Sequence, residues 1–144
     1  MLKEFIVGTA VGMTVMLVHL ISTLIIYYFV QSLGNRIHER RVTFLIISMV
    51  ALYAMLFICV CCSVGIWAYA YQQMGFTVDF RDAFYTAMLN YTTLGSGYLN
   101  QVIQTRLLGP MTAASGILMF AWSAALLVYV IQLHLPTLFK PNRR

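Results

Sequence analysis

The sequence predicts an all-α integral membrane protein with three transmembrane helices. A short re-entrant helix and loop stand between the second and third, with the N-terminus outside and the C-terminus inside. Three observations carry this. Of 144 residues, 61% are apolar and only 9% are charged, against roughly a quarter charged in a soluble chain. The apolar residues gather into three runs, each long enough for a hydrocarbon core that needs about 20 helical residues. The charges collect between and after these runs: Arg36, Arg40 and Arg41 in one connection, Lys140, Arg143 and Arg144 at the end.

A net charge of +5 raises the question of nucleic acid, but both basic clusters flank apolar spans. That is the positive-inside bias of membrane proteins, so no nucleic-acid partner is expected.

The first span is Phe5 to Val30, almost uninterrupted apolar sequence. Lys3 is offset by Glu4 and no small-residue cleavage site follows, so removal as a secretory signal is not expected. Gly8 and Gly12 form a small-xxx-small step that permits close helix contact. His19 lies mid-helix, where an ionisable group is a functional candidate; with no acid in its segment, a neutral ring bonded to a neighbouring hydroxyl or carbonyl is the expectation.

Gln31 to Arg41 is a polar turn in which Gly34-Asn35 stops the helix and arginines follow, placing it in the cytoplasm. Val42 to Tyr71 is the second span, and its Trp67, Tyr69 and Tyr71 suit the headgroup belt. Cys59, Cys61 and Cys62 fall inside it, where thiols behave as small buried hydrophobes and imply neither a disulfide nor a metal site.

After a short linker, Gln72 to Val78, Asp79 can cap a new helix, and Asp82 sits in its first turn at the positive end of the dipole. Phe80, Phe84, Ala87, Met88 and Tyr91 recur at helical steps and predict its packed face. The helix stops at Thr92-Thr93, too short to span and too apolar for an ordinary loop. Asn100 to Thr105 is polar, and Leu107 to Leu135 is the third span, opened by Gly109-Pro110 and ended by Pro136. An odd number of spans puts the basic C-terminus inside.

The run Asp82-Ala83-Phe84-Tyr85 through Thr92-Thr93-Leu94-Gly95-Ser96-Gly97, followed by a span, resembles the pore module of the potassium channel superfamily. The resemblance covers roughly residues 80–132. It implies a pore helix at 80–92, a filter at 93–97 and an inner helix at 107–135. With the outer helix at 42–71, residues 42–144 form a pore domain, and residues 1–41 hold a peripheral first helix and its basic loop. In the family, backbone carbonyls and a threonine hydroxyl replace the ion's hydration shell. Carried over, Thr93 supplies the lowest side-chain oxygen, and Thr93, Leu94, Gly95 and Ser96 supply carbonyls, with Gly97 closing the filter.

The spacing has a physical reason independent of the family. Residues with positive φ at intervals turn carbonyls to one side, and glycine does so at no steric cost, which Gly95 and Gly97 satisfy. Asn90, Tyr91, Thr92 and Tyr98 are the expected filter supports, and Gly116, beside Ala113, Ala114 and Ser115, the candidate gating hinge. The sequence departs from the family at three places. Ser96 replaces the filter aromatic, Tyr98 the following acid, and Leu89 leaves no carboxylate in the pore helix.

The resemblance thus implies a homotetrameric channel in the plasma (inner) membrane. It would pass monovalent cations, K⁺ foremost and Na⁺ as the second candidate, with lipid and its own copies as partners and no cofactor. The alternative is a non-conducting or poorly selective pore-loop module serving assembly or sensing. No nucleophile elbow, paired carboxylates or phosphate-cradling loop is present, so no enzyme is expected. Without an arginine ladder in the first helix or a ligand-binding domain after Arg144, neither steep voltage dependence nor internal ligand gating is expected.

Overall fold

The computed structural model describes residues 1–34, 41–95 and 107–138, with side chains described over 1–28, 45–95 and 107–132. Four helices and no strands occur among the described residues: α1 (Leu2–Gly34), α2 (Arg41–Gln73), α3 (Phe80–Tyr91) and α4 (Leu108–Leu138). Three carry apolar stretches long enough to cross a membrane, of 27, 29 and 25 residues at Leu2–Tyr28, Leu45–Gln73 and Leu108–Gln132. The basic clusters assigned to the cytoplasm lie largely outside the described residues; Arg41 opens α2.

Side-chain contacts fix the mutual directions of the long helices. Along α1 and α4, Glu4 meets Leu107, Gly8 meets Met111 and Thr23 meets Trp122, so the two run parallel. Along α1 and α2, Ser22 meets Cys59 and His19 meets Ser63, and along α2 and α4, Trp67 meets Ser115 and Tyr71 meets Thr112. α2 therefore runs against both neighbours. α1 starts and α4 ends at opposite ends of the bundle, as three spans require.

Two apolar cores follow. One gathers Val15, Val64, Trp67, Ala68, Tyr71, Ala83, Ala87, Tyr91, Leu108 and Met119 around α3. The other, toward the opposite end, joins Ile26, Leu52, Leu56 and Val130 without α3. Large apolar side chains all along the three long helices, such as Phe5, Leu17, Ile47, Phe57, Leu118 and Val128, are exposed, which an aqueous protein could not sustain but a lipid-solvated one can.

Polar contacts close the bundle at the end where α1 and α4 begin. The Leu107 amide, just ahead of α4, donates to the Glu4 carboxylate across 3.2 Å. Glu4 also accepts from the Met1 ammonium at 2.9 Å and is buried. A carboxylate at the positive end of a helix is favourable, so Glu4 caps a helix 103 residues away.

Several expectations need correction. Trp67 and Tyr71 do not face a headgroup belt: both are completely buried, and of the three aromatics only Tyr69 is exposed, at 60%. Their polar tips find partners on other helices, so the rings pack inward at no polar cost. The last helix does not stop before Pro136 but continues to Leu138. A proline removes one amide donor, and the rest of the last turn still closes. α1 is also more than peripheral, since Val15 and His19 are buried in the bundle.

The glycines of α1 and α4 differ in what they allow. A Cβ on Gly8 would collide with the Met111 sulfur, whereas Gly12 has open space around it. A Cβ on Gly116 would run into the backbone carbonyl of Tyr91. Backbone cannot swing aside as a methionine can. Gly116→Ala is therefore expected to lower stability by about 1–3 kcal/mol through overpacking. Gly12→Ala should leave stability unchanged or raise it slightly. Thermal unfolding in detergent checks both.

Candidate functional site

The site starts where α2 ends. The Gly75 amide bonds to the Gln72 carbonyl and the Phe76 amide to the Tyr71 carbonyl, at 3.0 and 2.9 Å, with Gly75 at φ +73°. This is a Schellman closure with glycine in the left-handed position. The chain turns and Asp79 caps α3, its carboxylate accepting from the Arg81 amide at 3.3 Å. Both the cap and Asp82 in the first turn stand where the sequence predicts them.

The buried face of α3 is Ala83, Thr86, Ala87, Asn90 and Tyr91. It keeps Ala87 and Tyr91 of the predicted stripe but is turned from the rest: Phe80 is exposed, and Phe84 and Met88 pack half-buried at the edge of the core. The cause is close packing, because Ala83 and Ala87 bring α3 near α2, and the larger rings cannot occupy that seam.

Asn90 ties α3 to the long helices. Its amide donates to the Tyr71 hydroxyl oxygen at 2.9 Å, and that hydroxyl meets Thr112 Oγ1 at 2.7 Å. Thr112 spends its own proton on the Leu108 carbonyl at 2.8 Å. The bookkeeping then has one solution: Asn90 donates to Tyr71, and Tyr71 donates to Thr112. Gly109 leaves room for the Asn90 amide, which a Cβ there would approach to 3.4 Å. The Trp67 indole adds a longer bond to Ser115 at 3.4 Å.

Sequence reasoning missed Tyr71 and Thr112 as members of this site. The available signal is spacing: Trp67 and Tyr71 lie four apart on α2, while Thr112 and Ser115 lie three apart on α4. Two matched polar–aromatic rows are what an interhelical ladder requires.

Tyr91 packs edge-on against Phe120, ring centroids 5.6 Å apart, and its carbonyl lies against Gly116. Gly116, the candidate hinge, thus has a direct packing reason to be glycine. Along α4, residues 116 to 120 lie roughly 12–18 Å from Leu108 at 1.5 Å per residue. α3 accordingly ends about a third of the way along α4.

The chain reverses at this depth. The Thr93 amide bonds to the Asn90 carbonyl at 3.0 Å and the Leu94 amide to the Leu89 carbonyl at 2.9 Å, with Thr93 at φ +64°. This repeats the closure of α2, with a β-branched residue where α2 uses glycine. Left-handed backbone costs an L-residue roughly 1–2 kcal/mol, and such strain gathers at functional sites. Thr92 folds its hydroxyl back onto the Met88 and Leu89 carbonyls. Gly95 also has positive φ, +75°, as the sequence leads one to expect.

Thr93, Leu94 and Gly95 are exposed, Leu94 at 76%, and no described residue donates to the Thr93 or Leu94 carbonyls. Ser96, Gly97 and Tyr98 lie outside the described residues. Asn90 and Tyr91, just before the reversal, are buried and Thr92 is half-buried; Tyr91 packs into the bundle against Phe120.

The three cysteines do not converge: Cys59 is buried, Cys61 half-buried and Cys62 exposed. Cys59 Sγ accepts from Ser22 at 3.3 Å.

Tyr71→Phe, which orphans the Asn90 amide, is expected to cost about 1–3 kcal/mol, the penalty of an unsatisfied buried donor. Thr93→Gly should do the opposite and stabilise the fold by roughly 1 kcal/mol as the left-handed strain disappears. Denaturation of the two purified variants beside the parent chain measures both signs. No protein-family model, curated protein or solved structure matches the chain, and its functional reading rests on its own residues.

Proposed function

We propose that the chain is one subunit of a cation channel in which several copies, four by the resemblance of its loop, surround an axis lined by residues 93–97. One observation carries this reading. A short capped helix packed against α2 and α4 delivers a chain reversal about a third of the way along α4, with positive φ at Thr93 and Gly95 and exposed residues whose carbonyls accept from no described donor. In lipid each unpaired backbone group costs several kcal/mol, so such a segment persists only where other protein or a water-filled path receives it. Copies arranged about an axis supply both.

In this reading α3 is the pore helix, its negative C-terminal end favouring cations. Thr93, Leu94, Gly95, Ser96 and Gly97 form the filter, and α4 is the inner helix. The basic connection and tail lie inside, the loop opens outside, and the membrane is the plasma (inner) membrane. K⁺ is the favoured ion. The Tyr71–Asn90–Thr112 network takes the bracing role that a carboxylate at position 89 cannot play here.

A second reading is a non-conducting pore-loop module that assembles with partners or senses. Ser96 favours it, because a serine in place of an aromatic removes the side chain that, in the family, holds the filter's diameter.

Flux of K⁺, Na⁺ and a larger cation into liposomes containing the purified protein separates the two. Flux above that of empty liposomes is expected, and its absence across pH and voltage would sink the channel reading. A monomer or dimer in detergent would contradict a ring of loops. Gly95→Ala is expected to abolish flux, because alanine resists positive φ, while Cys61→Ala conducts normally. Ser96→Tyr is expected to raise the K⁺ over Na⁺ ratio.

A further inference from the structure

A cavity of about 240 Å³ opens at the end of the bundle where α1 begins and α2 ends, lined by Met1, Lys3, Glu4, Gln73 and Met74. One water takes up roughly 30 Å³ of liquid, so the space is far larger than a single water needs. Its depth follows from the spans: the first apolar stretch starts at Leu2 and the second stops at Gln73. The cavity therefore sits where hydrocarbon gives way to lipid headgroups.

The charges on its wall are not balanced. Glu4 is buried, and both of its carboxylate oxygens are engaged, Oε1 by the Met1 ammonium at 2.9 Å and Oε2 by the Leu107 amide at 3.2 Å. Lys3, by contrast, is exposed and pairs with no acid among the described residues. The Gln73 side chain, also on the wall, hydrogen-bonds to no described residue. An ammonium offers only donors, and the amide can turn its own donors the same way. The wall thus leaves a place for an anionic acceptor, and Met1 and Met74 carry flexible thioether side chains that adapt to an irregular guest. At this depth the oxyanion in greatest supply is the lipid phosphate, and basic pockets between transmembrane helices bind such headgroups.

We propose that this cavity binds the phosphate headgroup of a membrane phospholipid, with the Lys3 ammonium and the Gln73 amide donating to the phosphate while Glu4 keeps its own partners. The bound headgroup joins the start of α1 to the end of α2, next to the Glu4–Leu107 contact that opens α4. The assignment is independent of whether the loop conducts ions.

Native mass spectrometry of the full chain, released from detergent containing dioleoyl phosphatidylglycerol, tests it. One retained lipid per chain is expected for the parent and for Lys3→Arg. Lys3→Gln and Gln73→Leu are each expected to lower that occupancy several-fold. Arg81→Gln removes a cation exposed on α3 at the same end of the bundle but outside the cavity, and should leave occupancy unchanged. Equal occupancy in the parent and Lys3→Gln would overturn the proposal. So would an equal fall in Arg81→Gln, because general attraction of basic residues to an anionic lipid would then suffice. Thermal unfolding separates the sources of phosphate. The phospholipid is expected to raise the parent's midpoint by several degrees, as a ligand of the folded state does, whereas dioleoylglycerol and inorganic phosphate are not. A rise with inorganic phosphate alone would make this a free-anion site and refute the lipid assignment. A rise with dioleoylglycerol equal to that with the phospholipid would refute recognition of the phosphate.

Discussion

Everything near the loop depends on the Tyr71 hydroxyl, which accepts from Asn90 of α3 and donates to Thr112 of α4. In hydrocarbon there is no water to take these groups, so the three side chains must meet or each be left unsatisfied. One oxygen therefore holds a twelve-residue helix, too short to span a membrane, between two long ones. The apolar seam of Ala83, Ala87 and Leu108 allows the approach, and the hydrogen bonds choose its register. Gly116 lets the helix end come close, because only a residue without a side chain leaves room for the Tyr91 carbonyl.

Two helix ends in this chain share one closure and differ in one residue. After α2, at the end of the bundle, the left-handed position is Gly75, and the turn is relaxed. After α3, within the bundle, the same position is Thr93, which bears the strain of a β-branched side chain. A chain that uses glycine for the first turn and threonine for the second keeps a hydroxyl at the second at the expense of stability. That asymmetry is the physical difference between the two reversals.

α1 stands in a different relation to the site than its sequence suggests. A helix without charges beyond its first turn looks like a lipid-facing appendage. Yet Glu4 caps the start of α4, Thr23 accepts from Trp122, and His19 lies against Ser63 of α2. Each contact pairs residues far apart in the chain, so each depends on how the helices pair rather than on any local pattern.

By itself the sequence determined the helices and their punctuation. Apolar run length gave three spans, Asp79 and Thr92-Thr93 marked the ends of the short helix, and Gly95 announced a positive φ. These are local consequences of hydrocarbon thickness, capping chemistry and the missing Cβ of glycine. Only the tertiary structure decided that Trp67 and Tyr71 turn inward, that Ala83, Thr86 and Asn90 join Ala87 and Tyr91 on the buried face of α3 while Phe80 is exposed, and that Thr93 takes the left-handed position. In a chain that is apolar on every side, hydrophobicity does not distinguish a core face from a lipid face. The choice falls to close packing and to hydrogen bonds between residues dozens of positions apart, and those exist only once the helices have paired.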